Sequence, residues 1–195
     1  VETKSSNITN SGTLTITGVP TFTVVNGASI TVNSASNNFS ATPVFASGGT
    51  IANVTIVDNS ALAFGTLTLS VDLTATVTDG SESNGAITQT GALVVPGTTT
   101  ITATGSNVTL ENASNNFGTI AVTGATVALR DTNAVVLGAS TVSGAYTLTS
   151  EGGAVTQSGA LAIASNTTTI NASGQNVTLE DASNNFSTIA VTGAA

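Results

Sequence analysis

Hydrophobic and polar positions alternate along much of this chain. Val108 and Leu110, Ile120 and Val122, Val127 and Leu129, Val135 and Leu137, and Tyr146 and Leu148 form pairs separated by one residue, and Leu161 with Ile163 and Thr168 with Ile170 continue the series. Successive side chains on a strand point to opposite faces, so each pair marks a short strand of about four or five residues with one buried face. Between the pairs lie clusters such as "NASNN", "TGA", "RDTN", "SGA", "SEGG" and "NASGQ". Gly and Asn tolerate positive φ, and Asn or Ser side chains bond local backbone, so these clusters predict tight turns. No stretch carries helical periodicity, and the pattern predicts an all-β chain.

The strands recur in a larger period. Residues 107–125 and 176–194 agree at 17 of 19 positions and differ only at Asn112/Asp181 and Gly118/Ser187. "AITQTGAL" (86–93) returns as "AVTQSGAL" (154–161). "SASNNFS" (34–40) marks a divergent first copy, in which Phe39 is the counterpart of Phe117 at an offset of 78. "VDNSALAFG", ending at Gly65, matches "RDTNAVVLG", ending at Gly138, at an offset of 73. The first copy is thus five residues longer between Phe39 and Gly65 and five longer again between Gly65 and Gln89. Such insertions belong in loops, near Thr42–Ile51 and Ser70–Gly85. The reading is one β-solenoid fragment over 1–195. Residues 1–106 form a divergent first part with longer loops, 107–175 a full repeat copy and 176–195 a truncated next copy. The chain is expected to be an internal piece of something longer.

The full copy divides into 107–125, 126–151 and 152–175, parts of roughly 23 residues with two or three strands each. That is about one coil of a right-handed parallel β-helix, in which strands stack at about 4.8 Å. About eight such coils of roughly 23 residues make a rod on the order of 40 Å long. Val, Leu and Ile ladders are expected inside. Asn115 and Asn116, repeated as Asn184 and Asn185, are expected in turns, their amides stacked or bonded to neighbouring backbone. The rival architecture is a string of immunoglobulin-like sandwiches. Units of 69 to 78 residues are short for it. A chain with no Trp and one Tyr also lacks the usual core anchors.

The run "NVTLENASNNFGTIAVTGATVALRDTNAVVLGASTVSGAYTLTSEGGAVTQSGAL" resembles the repeats of very large bacterial surface proteins of the filamentous haemagglutinin type, exported by two-partner secretion or as autotransporters. The resemblance covers Gly85 to Ala195 well and the first eighty residues loosely. It implies a parallel β-helix in a secreted or surface-displayed adhesin or an extracellular fibre. Some such adhesins are glycosylated at N-x-S/T sites, and here Asn7, Asn38, Asn53, Asn107, Asn112, Asn166, Asn171, Asn176 and Asn185 open that pattern. A chain this rich in Asn, Ser and Thr supplies many by chance.

Composition narrows the function classes. Charged residues are 6% of the chain and hydrophobic residues 40%, which suits a sheet protein wetted by hydroxyls and amides. Coils about 4.8 Å apart would place repeated charges in repelling ladders, whereas Thr, Ser and Asn stack without that penalty. Ten acids face two cations, Lys4 and Arg130, for a net charge of −8, which argues against nucleic acid and anionic membranes. No apolar run is long enough for a membrane-spanning helix. Without Cys there is no disulfide framework, and without His the commonest acid–base catalyst is missing.

Each candidate site has a plainer reading beside it. Glu180–Asp181 is the one adjacent acid pair, but neighbours on a strand diverge, and its counterpart is Glu111–Asn112. Asp131 recurs as Asp58 and reads as a turn residue; Arg130 beside it reads as a surface contact. "TDGSES" (78–83), with Asp79 and Glu82, reads as a solvated turn before it reads as a calcium loop, and neither "SGGTI" (47–51) nor "EGGAV" (151–155) continues as the calcium-binding nonapeptide does. Thr74 and Thr76, the run Thr98–Thr104 and Thr167–Asn171 leave hydroxyl rows on a strand face, a pattern that resembles ice-binding solenoids but is also good strand chemistry. No catalytic, cofactor-binding or metal-binding residue is assigned, and no cofactor. The expected function is a non-catalytic structural shaft of a bacterial adhesin or fibre, extracellular or on the cell surface. Its partners are neighbouring repeats of a long chain or other copies stacked end to end. The alternative is a module binding a glycan, a host protein or ice through loops or Thr rows.

Overall fold

The computed structural model describes residues 6–79 and 85–194. Among these residues every strand pairing is parallel and no helix occurs, and the chain winds into a β-solenoid of about nine turns of roughly 21 residues. The turns are more numerous and shorter than the eight or so expected from dividing the repeat by three.

Early turns visit three stacks of strands. One stack runs through Ile8–Thr9, Ile30–Val32, Val54–Asp58 and Leu73–Val77 into the second half of Leu93–Thr102 and on to Asn116–Gly124. A second runs from Leu62–Phe64 through Ile87–Gln89, Val108–Leu110, Val127–Asp131 and Tyr146–Ser150 to the second half of Leu161–Asn171. The third includes Leu67–Thr68 and the first half of Leu93–Thr102. Each polar–apolar alternation turns one row inward. The predicted pairs from Val108 to Ile170 are buried, including Thr168, and they lie in the strands the alternation marked.

The interior is a set of aliphatic ladders such as Ile30–Val54–Leu73 and Val108–Val127–Tyr146. The amino-terminal third adds an aromatic cluster: Phe22 stacks on Phe45 at 5.8 Å between ring centres and meets Phe39 edge-on at 6.0 Å. Thr99 and Thr168 are polar positions within the ladders, buried, with hydroxyls that have no hydrogen-bond partner.

Glycine matters at one recurrent corner. Gly27, Gly105 and Gly174 all have φ of 73 to 76° and sit in turns closed by Ala28 N–H to Val25 O, Ser106 N–H to Ala103 O and Gln175 N–H to Ala172 O. A type II turn needs positive φ at its third residue, where any Cβ is strained.

The repeat and the coil are out of step. Val108 pairs with Val127, Val127 with Tyr146 and Tyr146 with Thr168, so three turns carry the chain from Val108 to Thr168. The sequence counterpart of Val108 is Val177, nine residues farther on, and it stacks on Val155 in a different ladder. Likewise Thr99 lies between Leu73 and Ile120, whereas its counterpart Thr168 lies between Tyr146 and Ile189. One repeat is therefore three turns plus part of a fourth.

Candidate functional site

The most elaborate polar construction in the molecule is the turn written "NASNNF" and "DASNNF". Its first side chain closes an Asx turn: Asn112 Oδ1 accepts Ser114 N–H at 2.9 Å, and Asp181 Oδ1 accepts Ser183 N–H at 2.8 Å. Asn and Asp interchange here because the job needs only that acceptor. The next polar position is buried. Asn115 Oδ1 accepts Leu93 N–H (2.9 Å) and Gln89 Nε2–H (2.8 Å), while its amide donates to Leu110 O (3.1 Å) and Gln89 Oε1 (2.8 Å). Gln157 and Asn184 repeat the reciprocal amide pair, and Asn184 Oδ1 accepts Leu161 N–H at 2.9 Å. In the first copy Asn37 binds Leu14 N–H and Val32 O, with Asn10 in place of the glutamine. The expectation that these amides bond neighbouring backbone holds for the first Asn of each pair.

The aspartate that follows holds the other side of the turn. Asp131 Oδ2 accepts Phe117 N–H at 2.7 Å and its Oδ1 accepts Asn133 N–H at 2.9 Å. Asp58 Oδ1 accepts Phe39 N–H (3.3 Å), Ser60 N–H (3.2 Å) and the Ser60 hydroxyl (3.1 Å), and its Oδ2 is buried without a partner. The sequence reads both as turn residues, but each is the last residue of a strand, paired with the next turn, and both are buried, which periodicity did not reveal. Burial pushes both carboxyl groups above the ordinary range, opposed in part by the backbone N–H groups they accept from. The Asn-Asn-Phe turn and its aspartate thus staple three successive turns of the rod: Leu93, then Asn115 to Phe117, then Asp131. Both carboxylate oxygens of Asp131 are taken up by backbone N–H groups.

The other candidates disperse. Glu180 is exposed and Asp181 is occupied in its Asx turn. Arg130 forms an ion pair with Glu151 of the next turn, Nε to Oε1 at 2.6 Å, with both side chains half exposed. Of "TDGSES", residues 80–83 lie outside the described residues and Asp79 is half-buried. Among the described residues no three His, Cys, Asp or Glu side chains come together to hold a metal. Several sequon asparagines are engaged: Asn53 donates to Ser29 Oγ and accepts Asp72 N–H, Asn38 donates to Asn59 Oδ1, and Asn107 accepts Thr126 N–H.

The threonine rows are more continuous than their spacing in sequence suggests. Thr9, Thr31, Thr55, Thr74 and Thr100 stand in one column on successive turns. Thr76, Thr102, Thr123 and Thr141 stand in a second, two residues along the same strands. Unequal turn lengths hid this register, because the intervals between paired residues range from 17 to 26.

No curated protein and no solved structure matches the chain detectably. A family described as "Repeats of unknown function" (DUF5649) matches residues 1–45, 51–123 and 124–193, so that the step from 51 to 124 equals the offset between Gly65 and Gly138. Those matches cover nearly the whole solenoid, and the chain belongs to that repeat family.

Proposed function

We propose that the chain is a non-catalytic structural shaft, a β-solenoid segment of a secreted or surface-displayed bacterial adhesin or extracellular fibre. The observation that carries this reading is where the specific polar chemistry goes. The Gln–Asn pair and the Asn-Asn-Phe–Asp staple recur in the copies, and each ties one turn to the next. Such investment in turn-to-turn cohesion serves length and resistance to extension. The adhesin assignment itself draws on the resemblance of the repeats to filamentous haemagglutinin-type surface proteins.

The test places the chain between an outer-membrane anchor and a tip domain of known ligand. Because 107–175 is one full repeat, deleting it joins residue 106 to residue 176 in an equivalent sequence context. Adhesion is expected to vary with shaft length and to vanish when the tip is removed. Adhesion by the chain without a tip overturns the shaft reading.

A second reading is favoured by the threonine columns: a flat hydroxyl-and-methyl face, with rungs about 4.8 Å apart, that binds an ordered surface such as ice. Thermal hysteresis of the purified chain decides it, and its absence at millimolar concentration rejects it.

A further inference from the structure

The insertion in the first copy leaves one strand edge open within the rod. Val44–Ser47 pairs in parallel with Thr21–Val24, and among the described residues that is its one strand partner. Val44 N–H donates to Pro20 O at 2.8 Å. Successive residues of a parallel strand bond to alternate sides. Val44 and Ala46 therefore face Thr21–Val24, while Phe45 and Ser47 aim their N–H and C=O groups away from it. The next turn does not reach them. Ile51 stacks on Leu69, a register that would set Ser47 against Gly65 and Val44 against Leu62. Leu62–Phe64, however, already lies in another stack, paired with Ile87–Gln89. Val44–Ser47 thus overhangs the rod as a ledge, with residues 65–194 of the solenoid continuing past it. Phe45 stacks on Phe22 and Phe64, yet it is half-buried where those two are wholly buried. Val44 and nearby Val19 are 44% and 61% exposed.

We propose that this ledge is an interface with a second copy of the chain, the two Val44–Ser47 strands pairing antiparallel across a twofold axis at Ala46. An unpaired strand edge templates pairing, and in this register the edge is self-complementary. Phe45 lies opposite Ser47 of the second copy and exchanges both N–H···O bonds with it, and the axis repeats the exchange. Ala46 meets Ala46 in the closer, non-hydrogen-bonded position, where a methyl group fits, and Val44 meets Gly48. The overhang makes room, because antiparallel strands set the two rods at opposite ends of the paired segment. Charge favours a like partner here. Residues 5–57 contain no charged side chain, although the chain carries a net charge of −8. Two such chains meet at this segment without opposing their acids. The pairing is lateral, uses neither end of the rod, and does not depend on the shaft reading.

The experiment reads self-association of the purified chain by sedimentation velocity from about 1 μM to about 1 mM. A monomer–dimer equilibrium is expected. Ala46→Lys and Ala46→Asp should each weaken it by at least about tenfold, because like charges then sit directly opposite one another. Mixing the two variants should restore the dimer as a heterodimer. Thr100→Lys, on the outward face away from the ledge, should leave it intact. Ala46→Cys, in a chain with no other Cys, should be oxidised by dissolved oxygen to a disulfide-linked dimer, since Cα atoms about 4.5 Å apart can be bridged. That variant adds a single sulfur and keeps the test open where a charged variant fails to fold. A chain that stays monomeric throughout overturns the proposal, and so does an Ala46→Cys chain that forms no cross-link. A dimer that survives Ala46→Lys also overturns it, because the contact then lies at the rod's ends or on another face.

Discussion

Thr99 occupies a ladder position between Leu73 and Ile120, wholly buried, with a hydroxyl that finds no acceptor. Thr99→Val keeps the β-branched shape and exchanges that hydroxyl for a methyl group. A buried unsatisfied hydroxyl costs about 1–3 kcal/mol, and the new methyl buries apolar surface instead. The expected gain is about 2 kcal/mol, which for a chain of this length raises the melting temperature by about 4–8 °C. Thr168→Val repeats the change between Tyr146 and Ile189. The two sites are at least three turns apart, about 14 Å along the rod, so their effects should add. Thermal and urea unfolding followed by circular dichroism measure both. Thr100→Val is the control, because Thr100 lies on the outward face and should shift stability by no more than about 0.5 kcal/mol. A neutral or destabilising Thr99→Val would refute the reasoning, since the hydroxyl would then have a partner inside the rod.

The remaining predictions address the staples and corners. Asn115→Ala removes the side-chain partner of Leu93 N–H and Leu110 O, leaves Gln89 only Gly91 O and Asn112 N–H, and should cost about 2–4 kcal/mol by urea unfolding. Gly27→Ala meets no atom within 4 Å but is forced to φ of 76°, so its cost of about 1–2 kcal/mol is conformational, measurable by the same assay. Glu151→Gln should change stability by less than about 1 kcal/mol, because its pair with Arg130 is half exposed. Asp58 and Asp131 have folded pKa values raised above the unfolded 3.8, so the folded state holds their protons more tightly. Their contribution is fully present below about pH 3.8 and is lost as pH rises through the folded values. Melting temperature should therefore increase as pH is lowered from 7 toward 4, and Asp58→Asn with Asp131→Asn should flatten that slope.

Strands and turns were legible in the sequence because each depends on near neighbours. The pair Val127 and Leu129 states its own burial, and "TGS" around Gly105 states its own corner. The parallel stacking was legible too, through the repeat. What the sequence concealed depends on register between turns. Dividing the repeat by three assumes equal coils, but the interval between paired residues is 19 from Val108 to Val127 and 22 from Tyr146 to Thr168. Asp131 reads as a surface turn residue until the strand above it is placed, for only then does Phe117 N–H fall within reach. The threonine in the middle of "TTT" turns inward for the same reason: alternation fixes that Thr99 opposes Thr98 and Thr100, while the stack decides which face is the interior.

The mismatch between repeat and coil has a physical consequence for any function on the surface. If the repeat were a whole number of turns, equivalent residues would line up along one side of the rod, and a loop or charge carried by every copy would form a stripe. Here Val108 and Val177 fall in different ladders, so each copy presents its turns toward a new direction. Charge repeated in sequence, such as Glu111 and Glu180, is spread around the rod and separated by at least three turns, about 14 Å and beyond the screening length at physiological salt. Low charge relieves repulsion between adjacent turns, and the incommensurate repeat relieves it between copies. A solenoid built this way lengthens by duplication without accumulating a charged or sticky side, which is what the proposed shaft requires.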